Sequence, residues 1–418
     1  MNDKFRLGVV FTHPTQHHGP LWKKLSEQPG LSIKVLYLSD ENQGNGDRDL
    51  GSSSQPWDVD LLSGYEYEYL KDLSGRVPSQ QKKSVISPGL LSRLTKENFD
   101  AIFMQSFVNY SYRLTALLCK LRGIPLIMQN DATIMSDGRY SRSRRIAMAI
   151  LYPWMLNLAD YWLSCGDHNE IHLRHYGIPD EKIMRGCHPV DGERFERSIA
   201  QNQDEIRQIR KELATDEDAI IYGFAGKYID RKNPFEFIEA IAKAHQRDAR
   251  IKGVMIGGGD LEPEINKRLA KLNGVRNLGF VNQAKIPLYY AAIDAFVVTS
   301  WIDPHPLVVS EAMVSGCPPI LSDRCGNWGY SDTVRHRYNG LVYPCGNVDA
   351  LANAMLEMAD PENRQRYSER SKEVFYGQDL DCEIHAFLEV IERIKRNMHE
   401  AVYQVKPLAS QESFSEGL

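Results

Sequence analysis

No stretch of this chain stays apolar for the roughly 18 to 20 residues that a membrane-spanning helix needs. The nearest approach, residues 146–158, is too short and is interrupted by Pro153. The start, Met1-Asn2-Asp3-Lys4-Phe5-Arg6, runs into a short apolar stretch, Leu7 to Phe11, without a long hydrophobic leader core or cleavage signature, and reads as a cytoplasmic strand. The seven cysteines are odd in number and scattered, with no C-x-x-C spacing to suggest a zinc or redox site, and they fit a reducing compartment. Basic excess is also lacking. A formal charge of -5 provides no global field for nucleic acid, so no nucleic-acid partner is expected.

What is present is an ordinary globular composition, 42% hydrophobic and 25% charged, spread over 418 residues. That length exceeds what one core usually serves and predicts two domains. Short apolar runs alternate with helical patterns, the signature of an α/β protein with parallel sheets and crossover helices. Expected strands in the first half are Leu7–Phe11, Ile33–Leu38, Ala101–Gln105, Pro125–Gln129 and Tyr161–Cys165. In the second half they are Ala219–Phe224, Gly253–Ile256, Asn277–Phe280, Ala295–Thr299 and Pro319–Ser322. The charged stretch from Glu196 to Asp218 predicts the interdomain boundary. The expected units are 1–200, 201–375, a helix over 376–400 packing back on the first domain, and a polar tail over 401–418. The stretch from Gln43 to Gln55 reads as a mobile loop. Two similar α/β halves imply a cleft between them.

A basic turn, Gly226-Lys227-Tyr228-Ile229-Asp230-Arg231-Lys232-Asn233-Pro234, joins a strand to a helix start. Asn233 suits an N-cap, Pro234 the first helical position, and Glu236 a capping box. Lys232 then stands just before a helix N-terminus, whose free amides carry roughly half a positive charge. With Lys227 it makes a phosphate site at a strand's carboxyl end. A solvated loop with ordinary charges is the alternative. Further on, Asp303-Pro304-His305-Pro306 leads into a helix expected over about 306–314. Glu311 lies on that helix, placed to accept ribose hydroxyls, while the amides of Leu307 and Val308 face phosphate. Gly258, in a glycine cluster after a strand, offers close approach to a nucleotide or merely a tight turn.

In the first half, Thr12-His13-Pro14-Thr15-Gln16-His17-His18-Gly19-Pro20 joins the first strand to the first helix. Consecutive histidines rarely ligate one ion, so a loop is expected in which Gly19 allows close approach to substrate and His17 or His18 hydrogen-bonds it. Asn130 and Asp131 follow another strand at a carboxyl edge, with Asp131 the acid/base candidate and an N-cap the alternative. Asp58-Val59-Asp60 has a cation-binding spacing but reads as a strand edge. No metal is expected. Arg139, Arg142, Arg144 and Arg145 precede the apolar stretch at 146–158 and suit an anionic membrane surface, against a core helix with a solvated basic end.

These residues resemble glycosyltransferase family 4, whose members have the GT-B fold of two Rossmann-like domains with parallel sheets facing a central cleft. The family's G-R-L-x-x-x-K-G segment matches Gly226 through Asn233, and its E-P-F-G-x-x-x-x-E-A-M-A-x-G segment matches Asp303 through Gly316. Asp294, Asn339-Gly340-Leu341-Val342, Tyr176-Gly177-Ile178-Pro179, Pro189-Val190-Asp191 and Phe195 fit as well. The chain departs from the pattern with Asp303 for glutamate, Lys227 for arginine, and Asn233 and Pro306 for glycines. Lysine keeps the charge but loses bidentate geometry. No histidine stands in the Asn130-Asp131 segment, where many relatives carry a catalytic one.

The resemblance implies a retaining, metal-independent transferase without a cofactor. It would move a hexose or N-acetylhexosamine from a nucleoside-diphosphate sugar to the hydroxyl of a saccharide or lipid-linked acceptor, in surface polysaccharide synthesis. It would work in the cytoplasm, peripherally at the inner face of a membrane. Lys227 and Lys232 would neutralise the leaving diphosphate, Glu311 hold the ribose and Asp303 the sugar. An epimerase of the same fold, or a non-catalytic sugar-nucleotide-binding partner, are the rival readings.

Overall fold

The computed structural model describes residues 4–39, 55–70, 87–107, 109–188, 190–214 and 216–404, with side chains to residue 400. The stretch read as a mobile loop, Gln55 excepted, and the tail beyond residue 404 lie outside the described residues.

Among the described residues, two all-parallel sheets form. The first contains β1 (Phe5–Phe11), β2 (Leu31–Tyr37), β3 (Glu66–Tyr69), β4 (Ala101–Met104), β5 (Leu126–Asn130), β6 (Tyr161–Ser164) and β7 (Ile183–Arg185) in the order β3-β2-β1-β4-β5-β6-β7. The second contains β8 (Ile220–Lys227), β9 (Ile251–Gly258), β10 (Val275–Asn277), β11 (Ala295–Val298), β12 (Pro319–Ser322) and β13 (Leu341–Tyr343) in the order β10-β9-β8-β11-β12-β13. Both α/β sheets expected from the sequence are therefore present. Strands β4, β11 and β12 are buried at every position, as parallel strands covered on both faces must be. Strands β3, β7 and β13 escape a sequence reading. Each has three or four residues and lies at or beside a sheet edge, where the neighbouring strand rather than an apolar run defines it.

The strand order reverses direction between β1 and β4 and again between β8 and β11. At such a point the crossover helices leave to opposite faces and open a crevice at the carboxyl ends of the strands. Both lysine-bearing and histidine-bearing loops emerge there.

The boundary between the domains differs from expectation, whereas the last helix packs back on the first domain as expected. The helices Gly192–Gln201 and Gln203–Leu213, across which the sequence places the interdomain boundary, both pack into the second domain's core through Phe195, Ile206, Ile209 and Leu213. Their charge belongs to solvated faces, which composition alone cannot distinguish from a linker. At the other end, the helix Leu380–Gln404 buries Leu380, Ile384, Phe387, Val390, Ile391 and Ile394 with the first sheet's core. The ring of Phe387 stands 4.9 Å from that of Phe103.

Candidate functional site

The basic turn is pinned to the second sheet by backbone bonds. Thr299 Oγ1 donates to Lys232 O (3.0 Å) and to Asn233 O (2.8 Å), and Trp301 N donates to Arg231 O (2.9 Å). This brings the Lys232 ammonium against the carboxylate of Asp303, an ion pair on largely buried side chains. The two motifs therefore converge at one crevice. Lys227 closes β8 in register with Gly258 of β9. Gly226 has φ +152°, and a Cβ there would meet nothing within 4 Å, so this strand end borders open space. Gly258 ends its strand rather than forming a turn, and its carbonyl accepts from Tyr228 N (2.7 Å).

The capping box expected at Asn233 does not form. Asn233 takes a left-handed conformation, φ +49°, and its amide bonds the Glu236 carboxylate instead of capping a backbone N–H. Asparagine tolerates that conformation better than most residues, which explains why it can stand where the family has glycine. Glu236 Oε1 also accepts from Gly346 N (2.8 Å), tying this helix to the loop after β13.

The helix expected from about residue 306 begins later, at Val308, with Leu307 at the N-cap position. Val309 N is already bonded to Pro306 O (3.1 Å) and Glu311 N to Leu307 O (3.1 Å), whereas the amides of Leu307 and Val308 bond no backbone carbonyl outside the helix among the described residues. Glu311 is buried. Burial raises its pKa, while the neighbouring Arg194 guanidinium and the Tyr290 hydroxyl, 3.2 Å from Oε2, favour the carboxylate. Arg194 is in turn held by Gln283 O (2.6 Å) and Oε1 (3.0 Å).

A histidine cluster spans the two domains. His188, after β7, lies with its ring 4.9 Å from that of His305, on the loop after β11. His305 is buried, and neither of its ring nitrogens has a hydrogen-bond partner among the described residues, nor has Nδ1 of His188. Burial shifts both imidazoles toward the neutral form, and in His188 it outweighs the opposing pull of Asp131. A neutral imidazole carries one donor and one acceptor, a match for a sugar hydroxyl. His17, pushed down to about 3 by burial and by the nearby His188 and Arg194, faces the same cluster.

Sequence reasoning overlooked His188, His305 and Arg194. A signal for His305 existed, since it stands where the family motif has phenylalanine.

The other first-domain candidates separate. His18 lies in the core, its ring 4.6 Å from Phe11 and 5.7 Å from Trp22, with Nδ1 at 2.9 Å from Thr15 Oγ1 and Nε2 at 2.6 Å from the Gln105 amide. It positions Gln105 rather than substrate. Gly19 sits in the helix His18–Ser26, and its missing Cβ makes room for Leu61 O, 2.8 Å from where that atom would be, not for a ligand. Asn130 braces its loop by accepting from Ala132 N (3.1 Å) and Asn169 Nδ2 (2.9 Å). Asp131 is exposed at the wall of a cavity of about 680 Å³ that also touches Pro304.

Asp58 and Asp60 sit in a loop rather than at a strand edge. Asp58 Oδ1 accepts from Ala284 N (2.8 Å) and Asp60 Oδ1 caps Leu62 N and Ser63 N. Among the described residues no group of three or more His, Cys, Asp or Glu side chains is arranged to hold a metal ion.

Residues 205–374 match the family model described as Glycosyl transferases group 1. The UDP-Gal:alpha-D-GlcNAc-diphosphoundecaprenol alpha-1,3-galactosyltransferase of Escherichia coli is 25% identical over 66% of this chain and 70% of its own length. The amylovoran biosynthesis glycosyltransferase AmsK of Erwinia amylovora is 24% identical over 69% and 68%. Among solved structures, Anabaena HepE in complex with UDP and glucose aligns with a TM-score of 0.66 at 16% identity, covering 92% of this chain and 99% of that one. Residues 205–374 thus carry a group 1 glycosyltransferase domain, and the two parallel-sheet domains have the GT-B fold, as the motifs led one to expect.

Proposed function

We propose that this glycosyltransferase moves a hexosyl or N-acetylhexosaminyl group from a nucleoside-diphosphate sugar to an acceptor hydroxyl, with retention at the anomeric carbon and without a metal ion. The observation that carries the reading is the Lys232–Asp303 pair at the β8/β11 switch point, which sets an ammonium suited to a diphosphate beside a carboxylate suited to sugar hydroxyls. As the glycosidic bond breaks, negative charge grows on the leaving diphosphate. Lys227, Lys232 and the amides of Leu307 and Val308 are assigned to neutralise it, a task that falls to fixed cations and peptide dipoles when no metal serves.

Asp303, His305 and His188 would receive sugar hydroxyls, Glu311 the ribose, and Asp131 the acceptor side. Uridine diphosphate sugars are the donors to test first, since the names of the E. coli and Anabaena proteins carry UDP. The basic residues Arg139, Arg142, Arg144 and Arg145 would hold the enzyme peripherally on an anionic membrane surface. No described helix is long and apolar enough to cross one.

The test is release of nucleoside diphosphate from a panel of sugar nucleotides, with and without saccharide and lipid-linked acceptors, in chelator. Acceptor-dependent release and an α-linked product from an α-linked donor, read by NMR coupling constants, are expected. Interconversion of the donor sugar without acceptor, or loss of activity on chelation, would overturn the corresponding part.

A further inference from the structure

The cavity beside Asp131 combines basic and apolar walls. Its floor near the cleft is Asn130, Asp131 and Pro304, and its far wall is the helix Arg142–Leu156. Three arginines of the first domain, Arg113, Arg139 and Arg144, line it. None is engaged with a carboxylate among the described residues. Arg113 Nε donates to Phe107 O (2.9 Å), Arg139 donates to Tyr140 OH (2.6 Å), and the Arg144 guanidinium lies 3.8 Å from the Tyr140 ring centroid. The cavity's second carboxylate, Asp137, is occupied by His172 Nε2 (3.1 Å) and Tyr176 OH (3.0 Å). The arginine guanidinium groups thus keep unused donors in a partly enclosed space, an arrangement that suits phosphate oxygens.

The same helix presents the opposite chemistry on its outer face. Ile146, Ile150, Leu151 and Trp154 are 55%, 71%, 54% and 66% exposed, an apolar patch that a solvated helix would not keep without a partner. Leu151 belongs to both the patch and the cavity wall, so the apolar surface runs into the arginine-lined space. A ligand spanning the two is anionic at one end and a hydrocarbon at the other.

We propose that this cavity binds the phosphate or diphosphate linker of a lipid-linked acceptor. The arginines hold the linker, the hydrocarbon lies along Leu151 and Ile150, and the acceptor sugar extends past Asp131 toward the donor loop at Pro304. The inference rests on the transferase reading and adds the cavity and the side chains that would hold the linker of a lipid-linked acceptor.

The probes are farnesyl diphosphate, farnesol and inorganic pyrophosphate, titrated into the full chain without membranes, each with and without saturating UDP. Farnesyl diphosphate is expected to bind in the presence of UDP and far more tightly than farnesol. The Arg139→Ala/Arg144→Ala double variant, whose two side chains are exposed and leave the core intact, should weaken it by about tenfold or more. Displacement of farnesyl diphosphate by UDP would place it in the donor crevice and overturn the proposal. So would equal affinity for farnesol, or arginine-dependent binding to phosphatidylglycerol vesicles but not to soluble farnesyl diphosphate, which would leave these arginines with the membrane-surface role alone. A chain that binds farnesyl diphosphate as described yet releases no nucleoside diphosphate from any sugar nucleotide would refute the transferase reading while leaving the cavity's ligand standing.

Discussion

Lys232 and Asp303 stand 71 positions apart and meet in one ion pair, so each sets the other's electrostatics. Lys232→Ala removes a phosphate cation and also strands a buried carboxylate. By analogy with loss of an oxyanion donor, kcat should fall about a hundredfold or more, some 3 kcal/mol of transition-state stabilisation. Steady-state release of nucleoside diphosphate measures it, and unchanged turnover would remove Lys232 from the site. Asp303→Glu restores the family's residue and advances the carboxylate by one methylene. The expected result is an altered order of kcat/KM among sugar nucleotides rather than a uniform loss, because an acceptor of sugar hydroxyls moves while the phosphate cations stay. His305→Phe, likewise the family's residue, should cost affinity for the donor sugar, since it removes both polar nitrogens of a buried ring that nothing else satisfies.

At the scale of elements, the crevice depends on how closely two strand ends approach. A Cβ on Gly257, at φ +147°, would fall 1.9 Å from Gly226 O, and the two residues pair in register between β8 and β9. Gly257→Ala must therefore spread the strands that carry Lys227 and Gly258. It should lower Tm by several degrees and weaken nucleotide binding together, whereas Asn233→Val, a β-branched residue forced to φ +49°, should lose about 1–2 kcal/mol of stability with a smaller effect on binding. Thermal melts with and without nucleoside diphosphate separate the two outcomes.

For the whole molecule, the domains are joined by a reciprocal clasp and by the returning last helix. Asp332 Oδ2 accepts from Asp167 N (2.6 Å), while Asp167 Oδ2 accepts from Ser331 N (2.9 Å) and Arg185 pairs with Asp167 (3.0 Å). Burial pushes the Asp332 carboxyl up to about 6. Glu383 on the last helix, receiving Cys187 N (2.7 Å) and Gln129 Nε2 (2.8 Å), is pushed up to about 8 by the same cause. Both folded-state values lie above the ordinary 3.8 and 4.5, so the folded protein holds these protons more tightly than the unfolded chain. Their contribution to stability is present at low pH and is lost as pH rises through each folded value. Tm should therefore decline between about pH 5 and about pH 8, and Glu383→Gln should flatten that slope. A melt series across that range checks it, and a slope of opposite sign would refute the burial argument.

The sequence by itself determined the alternation of strands and helices, because buried parallel strands need continuous apolar runs that any reading can see. It also placed the lysine turn and the acidic motif, since their spacing is local and each follows a strand. Only the tertiary structure decided which loops share a crevice. His188 and His305 lie in different domains and meet through the domain packing, while His18, as polar as its neighbour His17, is turned into the core by Phe11, Trp22 and Gln105. The same holds for the short edge strands and the helices at 192–213, whose place is set by the surface they cover. Contacts between distant segments are a property of packing, and no local pattern of residue types encodes them.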